Sequence, residues 1–298
     1  GKRKIQAMAG FITDLKRSFL GGNVLSKLIF INVGLFILIR LLSVLFLLFN
    51  VQDIPFLFYL QLPASFEALL LRPWTLVTYM FTHYEFLHIL FNMLWLYWFG
   101  GLFLTFFNER QLGGLYLLGG LAGAIFFVLC YNIFPYFLDM VDFSYLIGAS
   151  ASVMAIVFAI SFYRKDMEIS LFLIGRVKLI YLALFTLVID LLAITSDNAG
   201  GHIAHVGGAL LGIWFASQMR VGKDLTAPMN RLVDKFVNLF KRKPKMKVTY
   251  KRAETDYEYN ARKRQEEADL NDILDKLKRS GYQSLSAEEK KRLFDASK

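Results

Sequence analysis

The run LIFINVGLFILIRLLSVLFLLF, residues 28–49, is long enough to cross a bilayer, and it is the first of several such apolar stretches. A hydrocarbon core of about 30 Å needs roughly 20 apolar residues in a helix. In lipid every backbone N–H and C=O must be satisfied without water, which leaves helices or closed barrels as spanning structures. Six stretches meet or approach that length, at about 28–50, 86–107, 114–134, 147–163, 178–195 and 201–219. They predict an all-α polytopic membrane protein, a six-helix bundle over residues 28–220 between a short tail (1–27) and a long one (221–298). The first run exceeds the apolar region of a signal peptide and no small-residue cleavage site follows it, so it reads as a span of the mature chain.

Charge placement sets the orientation. Of the 34 Lys and Arg residues, Arg40 falls inside the first span and Arg72 in the loop after it, leaving 32 on one side of the bundle. By the positive-inside rule both termini are cytoplasmic, in a plasma (inner) membrane. The net charge of +10 then reflects topology and attraction to anionic lipid, and no nucleic-acid partner is expected, since nothing supplies a base-reading face. Arg40 has no evident partner. The single cysteine, Cys130, excludes an internal disulfide and reads as small apolar packing.

Between the first two spans the segment from Asn50 to His83 is too apolar for a solvated linker. It reads either as lying in the membrane interface, with Trp74, Tyr79 and Tyr84 at headgroup depth, or as a packed external loop. Gly119 and Gly123 in span three, and Ala204, Gly208 and Gly212 in span six, recur every four residues and mark faces where helices approach closely. Beyond residue 220 the chemistry changes. Leu232, Phe236 and Leu239 predict an amphipathic helix on the basic inner leaflet, and residues 243–265 read as a linker. Leu270, Ile273, Leu274 and Leu277 follow helical spacing up to Gly281, and Ser286-x-x-Glu289 is a capping box opening a last helix. So small a hairpin has little core of its own.

The polar residues of the apolar part collect in one layer. His83, His88, His202 and His205 are all the histidines in the chain, and the predicted topology puts them near the outer surface together with Ser150, Ser152 and Asn92. Such groups must satisfy one another or line a wet cavity. For any one of them the plain alternative is an interhelical hydrogen bond worth about 1 kcal/mol or less. Intramembrane proteolysis through zinc would need a His-Glu-x-x-His helix, which is absent, and an aspartyl dyad would need two buried carboxylates, where only Asp190 qualifies. A Ser–His pair remains, with His205 as general base to Ser150. No carboxylate is evident beside His205, so the reading is a dyad, with Asp190 at most a distant orienter. His88, the Asn92 amide and the Ser150 N–H are candidate oxyanion donors. Ser152 points about 200° around the helix from Ser150 and reads as packing.

Three ordered motifs make this chain resemble the rhomboid family of intramembrane serine proteases. They are Gly148-Ala149-Ser150 on span four, His83-x4-His88-x3-Asn92 at span two, and His205, Gly208 and Gly212 within AHVGGALLG on span six. The resemblance covers roughly residues 25–220. It implies Ser150 as nucleophile, His205 as base, His88 and Asn92 in the oxyanion site, and His83 as support. It also implies transmembrane segments of other proteins as substrates, entering between spans two and five beneath a mobile loop, here TSDNAGGHIA (195–204). Three positions depart from the family pattern: Ala151 where Gly is usual, Met154 where an aromatic is, and Thr75 where an Arg is. No metal, cofactor or ATP is expected, membrane lipid is the remaining partner, and nothing sets an oligomeric state. Two alternatives stand beside the protease: a non-catalytic rhomboid-like protein that binds membrane helices, and a histidine-based metal site or transporter. The latter is disfavoured because no acidic or thiol ligand is expected beside His202 and His205.

Overall fold

The computed structural model describes residues 21–50, 55–171, 175–240 and 254–296. They divide into two compact units, one up to Lys241 and one from Arg242 onward.

The first unit opens with α1 (Val24–Leu48), capped by the Asn23 side chain, which accepts from the Ser26 N–H. Next comes a folded excursion of α2 (Pro55–Phe58), β1 (Leu62–Pro63), α3 (Phe66–Leu71), α4 (Thr75–Thr78) and a 3₁₀ turn, Tyr79–Phe81. The main helices follow: α5 (Phe86–Leu104) and α6 (Glu109–Ile133), then α7 (Pro135–Leu138), β2 (Tyr145–Leu146) and α8 (Ser150–Tyr163). A hairpin of β3 (Glu168–Leu171) and β4 (Gly175–Lys178) leads to α9 (Leu179–Leu192), α10 (Ala199–Arg220) and α11 (Ala227–Phe240). Helices α1, α5 and α6 are long and apolar enough to cross a membrane, while α8 and α9 are apolar but have 14 residues each. At 1.5 Å per residue each of those two is only about 21 Å long.

Helix α8 is the axis of this unit. Every residue from Ala151 to Ser161 is buried, against α10, α6 and α5. Absent side chains permit that enclosure. A methyl group on Gly208 would lie 2.1 Å from the Ala151 carbonyl oxygen, and one on Gly212 would lie 2.3 Å from that of Ala155. From the other side, methyls on Gly119 and Gly123 would meet the Ala155 and Ala151 side chains at 2.4 and 2.5 Å. The Ala151 side chain therefore faces Gly123 on α6, where room exists for it, and does not widen the α8–α10 contact. Ser152 is fully buried, with its Oγ 4.0 Å from Met80 Sδ, in keeping with a packing role.

The segment between α1 and α5 packs instead of floating. Tyr79 is buried and donates to the Gly120 carbonyl at 2.5 Å, so it packs inside the bundle. The Tyr116 hydroxyl donates to the Met80 carbonyl at 2.8 Å and accepts from Asn32 Nδ2 at 3.1 Å, tying the segment to α6 and α1. Thr75 is buried and its hydroxyl donates to the Arg72 carbonyl. Trp74 stays half-exposed, its indole N–H on the Tyr59 carbonyl. Arg40 does have a partner, since its guanidinium lies 4.6 Å over the Tyr84 ring. The glycine-bearing loop expected before span six is shorter than its sequence suggests: Gly200 and Gly201 are buried in the first turn of α10, against Phe127 and Asn198.

Helix α11 presents Leu232, Phe236 and Leu239 outward and is held to α6 by the Arg110–Asp234 ion pair. In the second unit, α12 (Asp256–Ser280) starts well inside the segment expected to be linker. A capping box of Thr255 and Glu258, which the charge-rich composition hid, sets its start; residues 243–253 of that expectation lie outside the described ones. Gly281, at φ 75°, ends the helix. Helix α13 (Ala287–Ala296) opens with the expected box, the Ser286 N–H donating to Glu289 at 2.6 Å. Ile273 and Leu285 are the buried apolar residues between the two helices, and Lys276–Glu289 and Arg292–Asp269 pairs flank them.

Candidate active site

Residues 145–150 turn from strand into helix at one end of the bundle. Tyr145 and Leu146 pair with Pro63 and Leu62, and the backbone then swings through Gly148 at φ +116°. Two N–H groups of the turn are already used: that of Gly148 donates to the Tyr79 carbonyl at 2.9 Å, and that of Ala149 to His83 Nε2 at 3.2 Å. Helix α8 begins at Ser150 itself, three residues later than the apolar run suggests, because this anchored turn replaces its first residues. As the first helical residue, Ser150 has an N–H with no acceptor inside the helix.

The glycine at 148 serves His88. A methyl group there would come within 2.6 Å of the imidazole carbon Cε1 and 2.7 Å of Nε2, so the ring rests on the bare Cα beside Ser150. His83 stands edge-on to that ring, centroids 5.1 Å apart. Since its Nε2 accepts from Ala149, His83 is neutral with the proton on Nδ1, and burial, followed by the nearby His88, pushes its pKa down to about 3. Asn92, one turn beyond His88, gives one amide hydrogen to the His88 carbonyl at 2.9 Å and keeps the other.

Ser150, His88 and Asn92 open onto a cavity of about 920 Å³. Its polar members include Ser150, His88, Asn92, His205 and Asp190. Phe91 and Trp95 of α5 face Phe185 and Ile189 of α9 across it, with Met154 and Asn198 also at its walls. His83, Gly148, Gly208 and Gly212 do not line the cavity; they hold the elements that do.

Asp190 was the residue least legible in its role. Helix α9 buries a thin stripe, Leu179, Ala183 and Asp190, with spacing that keeps all three on one face. That face meets α10, and one oxygen, Oδ1, sits 2.8 Å from Nδ1 of His205 and 2.8 Å from Nδ1 of His202. A carboxylate therefore does stand directly beside His205, with a second histidine on the same oxygen. It also supplies the acidic partner thought missing beside the two histidines. The other oxygen, Oδ2, is buried without a hydrogen-bond partner among the described residues. A lone carboxylate in an apolar run was the only signal.

The bundle and cavity define a class: a membrane-type helical protein with a serine and a carboxylate-bound histidine facing one apolar-walled chamber. The Rhomboid domain model matches residues 71–220, half of the chain, and the chain belongs to the rhomboid family. A second model, a family of unknown function (DUF6576), matches residues 253–298. The chain is 27% identical over 210 residues to RHOMBOID-like protein 12, mitochondrial, of Arabidopsis thaliana, an alignment covering 67% of this chain and 60% of that relative's length.

Proposed function

We propose that the chain is an intramembrane serine endopeptidase acting on transmembrane segments. The observation that carries this reading is His205 facing the same cavity as Ser150 while its Nδ1 is held by Asp190. With Asp190 ionised, that nitrogen carries the proton and Nε2 is left as the base. Nε2 takes the proton of the Ser150 hydroxyl as Oγ attacks the scissile carbonyl, and returns it to the leaving amine; Asp190 stabilises the imidazolium formed in between. The Ser150 N–H, the free Asn92 amide hydrogen and His88 receive the oxyanion. The aromatic and aliphatic walls suit an unwound apolar segment arriving between α5 and α9.

In this reading α1, α5, α6, α8, α9 and α10 make six crossings, the basic tails are cytoplasmic in a plasma-type membrane, and the site faces the opposite side. The decisive experiment compares cleavage of a reporter transmembrane segment by wild type and Ser150→Ala, with fluorophosphonate labelling of both. Cleavage and labelling are expected in wild type alone. Equal cleavage by both proteins defeats the mechanism. Helix binding without labelling favours the non-catalytic alternative, a rhomboid-like protein that binds membrane helices.

A further inference from the structure

Asp190, His202 and His205 are more than an oriented base needs. One histidine suffices for a base, yet two imidazole nitrogens converge on one carboxylate oxygen at 2.8 Å each, and the three ligand atoms all lie within 4.8 Å of one another. The second carboxylate oxygen is buried and unpartnered among the described residues, although a buried anion ordinarily collects hydrogen bonds on both oxygens. Helix geometry fixes the set: His202 and His205 are three apart on α10, and the buried stripe of α9 brings Asp190 between them. Asp190 and His205 also line the cavity, which gives an ion access to them.

We infer that these three residues form a site for a zinc-class divalent ion, and that its occupation switches the protein off. Two imidazoles and one carboxylate with an open fourth position suit zinc or cobalt, and are poorly matched to calcium or magnesium, which want an all-oxygen shell. Binding releases no proton but changes two tautomers: each imidazole now donating through Nδ1–H to Asp190 takes its hydrogen on Nε2 instead and presents the Nδ1 lone pair to the metal. A neutral imidazole holding a metal on Nδ1 carries its one hydrogen on Nε2. Nε2 of His205 is the nitrogen that must accept the Ser150 proton, so the metal-bound tautomer has no base to offer. Metal and catalysis thus compete for the same ring through opposite tautomers. The site stands on geometry alone; its effect on the rate rests on the protease reading.

The test uses the full chain in detergent with any purification tag removed. Ser150→Ala protein, titrated with zinc, is expected to bind one ion and rise in melting temperature, as a ligand that binds only the folded state requires. Cobalt in place of zinc is expected to give the visible absorption of a four-coordinate site. His202→Gln, shown folded by its circular dichroism, is expected to lose both responses. In wild type, zinc is expected to slow reporter cleavage by roughly 10²-fold, the lower end of what a general base contributes, with a chelator restoring the rate. In His202→Gln the ratio of rates with and without zinc is expected to approach one, whatever its metal-free rate. No zinc binding by folded protein, or binding undiminished in His202→Gln, overturns the site. Binding that leaves wild-type cleavage untouched overturns the switch. Binding as expected by a protein that cleaves nothing even with chelator upholds the site and counts against the protease instead.

Discussion

Asp190→Asn asks what the carboxylate does for the proposed base, His205, while keeping its shape. The amide still accepts one hydrogen bond but carries no charge to stabilise an imidazolium, and its N–H₂ group can turn toward a histidine and stabilise the wrong tautomer. Reporter cleavage is expected to lose about 10²- to 10⁴-fold in kcat, as removal of such an orienting group does, while KM holds because the cavity walls of Phe91, Trp95 and Ile189 are unchanged. A fall in KM-dependent terms alone would assign Asp190 to packing. Ser150, His88 and Asn92 were legible in the sequence because their spacing carries meaning along a single helix or turn. The contact of Asp190 with His205 was not, since it depends on how α9 and α10 pair, a tertiary fact that no local pattern encodes. Gly148 was legible as a motif, yet its reason, the His88 ring lying where a Cβ would be, appears only in three dimensions.

Helix packing turns on whether a glycine faces backbone or open space. Gly208 faces the Ala151 carbonyl at 2.1 Å from where a methyl would stand, while around Gly101 nothing lies within 4 Å. Backbone cannot rotate away as a side chain does, so Gly208→Ala must part α10 from α8 and is expected to destabilise by about 1–3 kcal/mol or more. Gly101→Ala, in the interior of α5, is expected to stabilise by about 0.5–1 kcal/mol through helix propensity. Thermal unfolding in detergent measures both, and equal shifts would mean the glycine contacts are not what brings the two helices together. Because Ser150 and His205 ride on α8 and α10, the Gly208 variant should also lose activity at temperatures where it remains folded. Apolar length predicted where the helices are, since hydropathy alone decides that. It misjudged what surrounds them: the β3–β4 hairpin hides in a basic loop, and α12 begins at a cap that charge-rich sequence disguises.

The largest prediction concerns which way the whole bundle faces, because the chemistry depends on it. Strand β2 leads directly into Ser150, so the connection between α6 and α8 lies on the same side as the site. That connection has no Lys or Arg, whereas the one after α8 begins with Arg164 and Lys165. Basic residues resist transfer across the membrane, and so the Arg164–Lys165 side should remain cytoplasmic with both tails. In a Cys130→Ala background, a cysteine replacing exposed Asp142 is expected to react with a membrane-impermeant maleimide from the external side of intact cells. One replacing exposed Lys165 should react only after the membrane is opened. Reversed labelling would turn the site toward the cytoplasm, and labelling of both from one side would remove α8 from the set of crossings. Either result would exclude a site near the non-cytoplasmic face, and with it the cutting of substrates close to their outer ends.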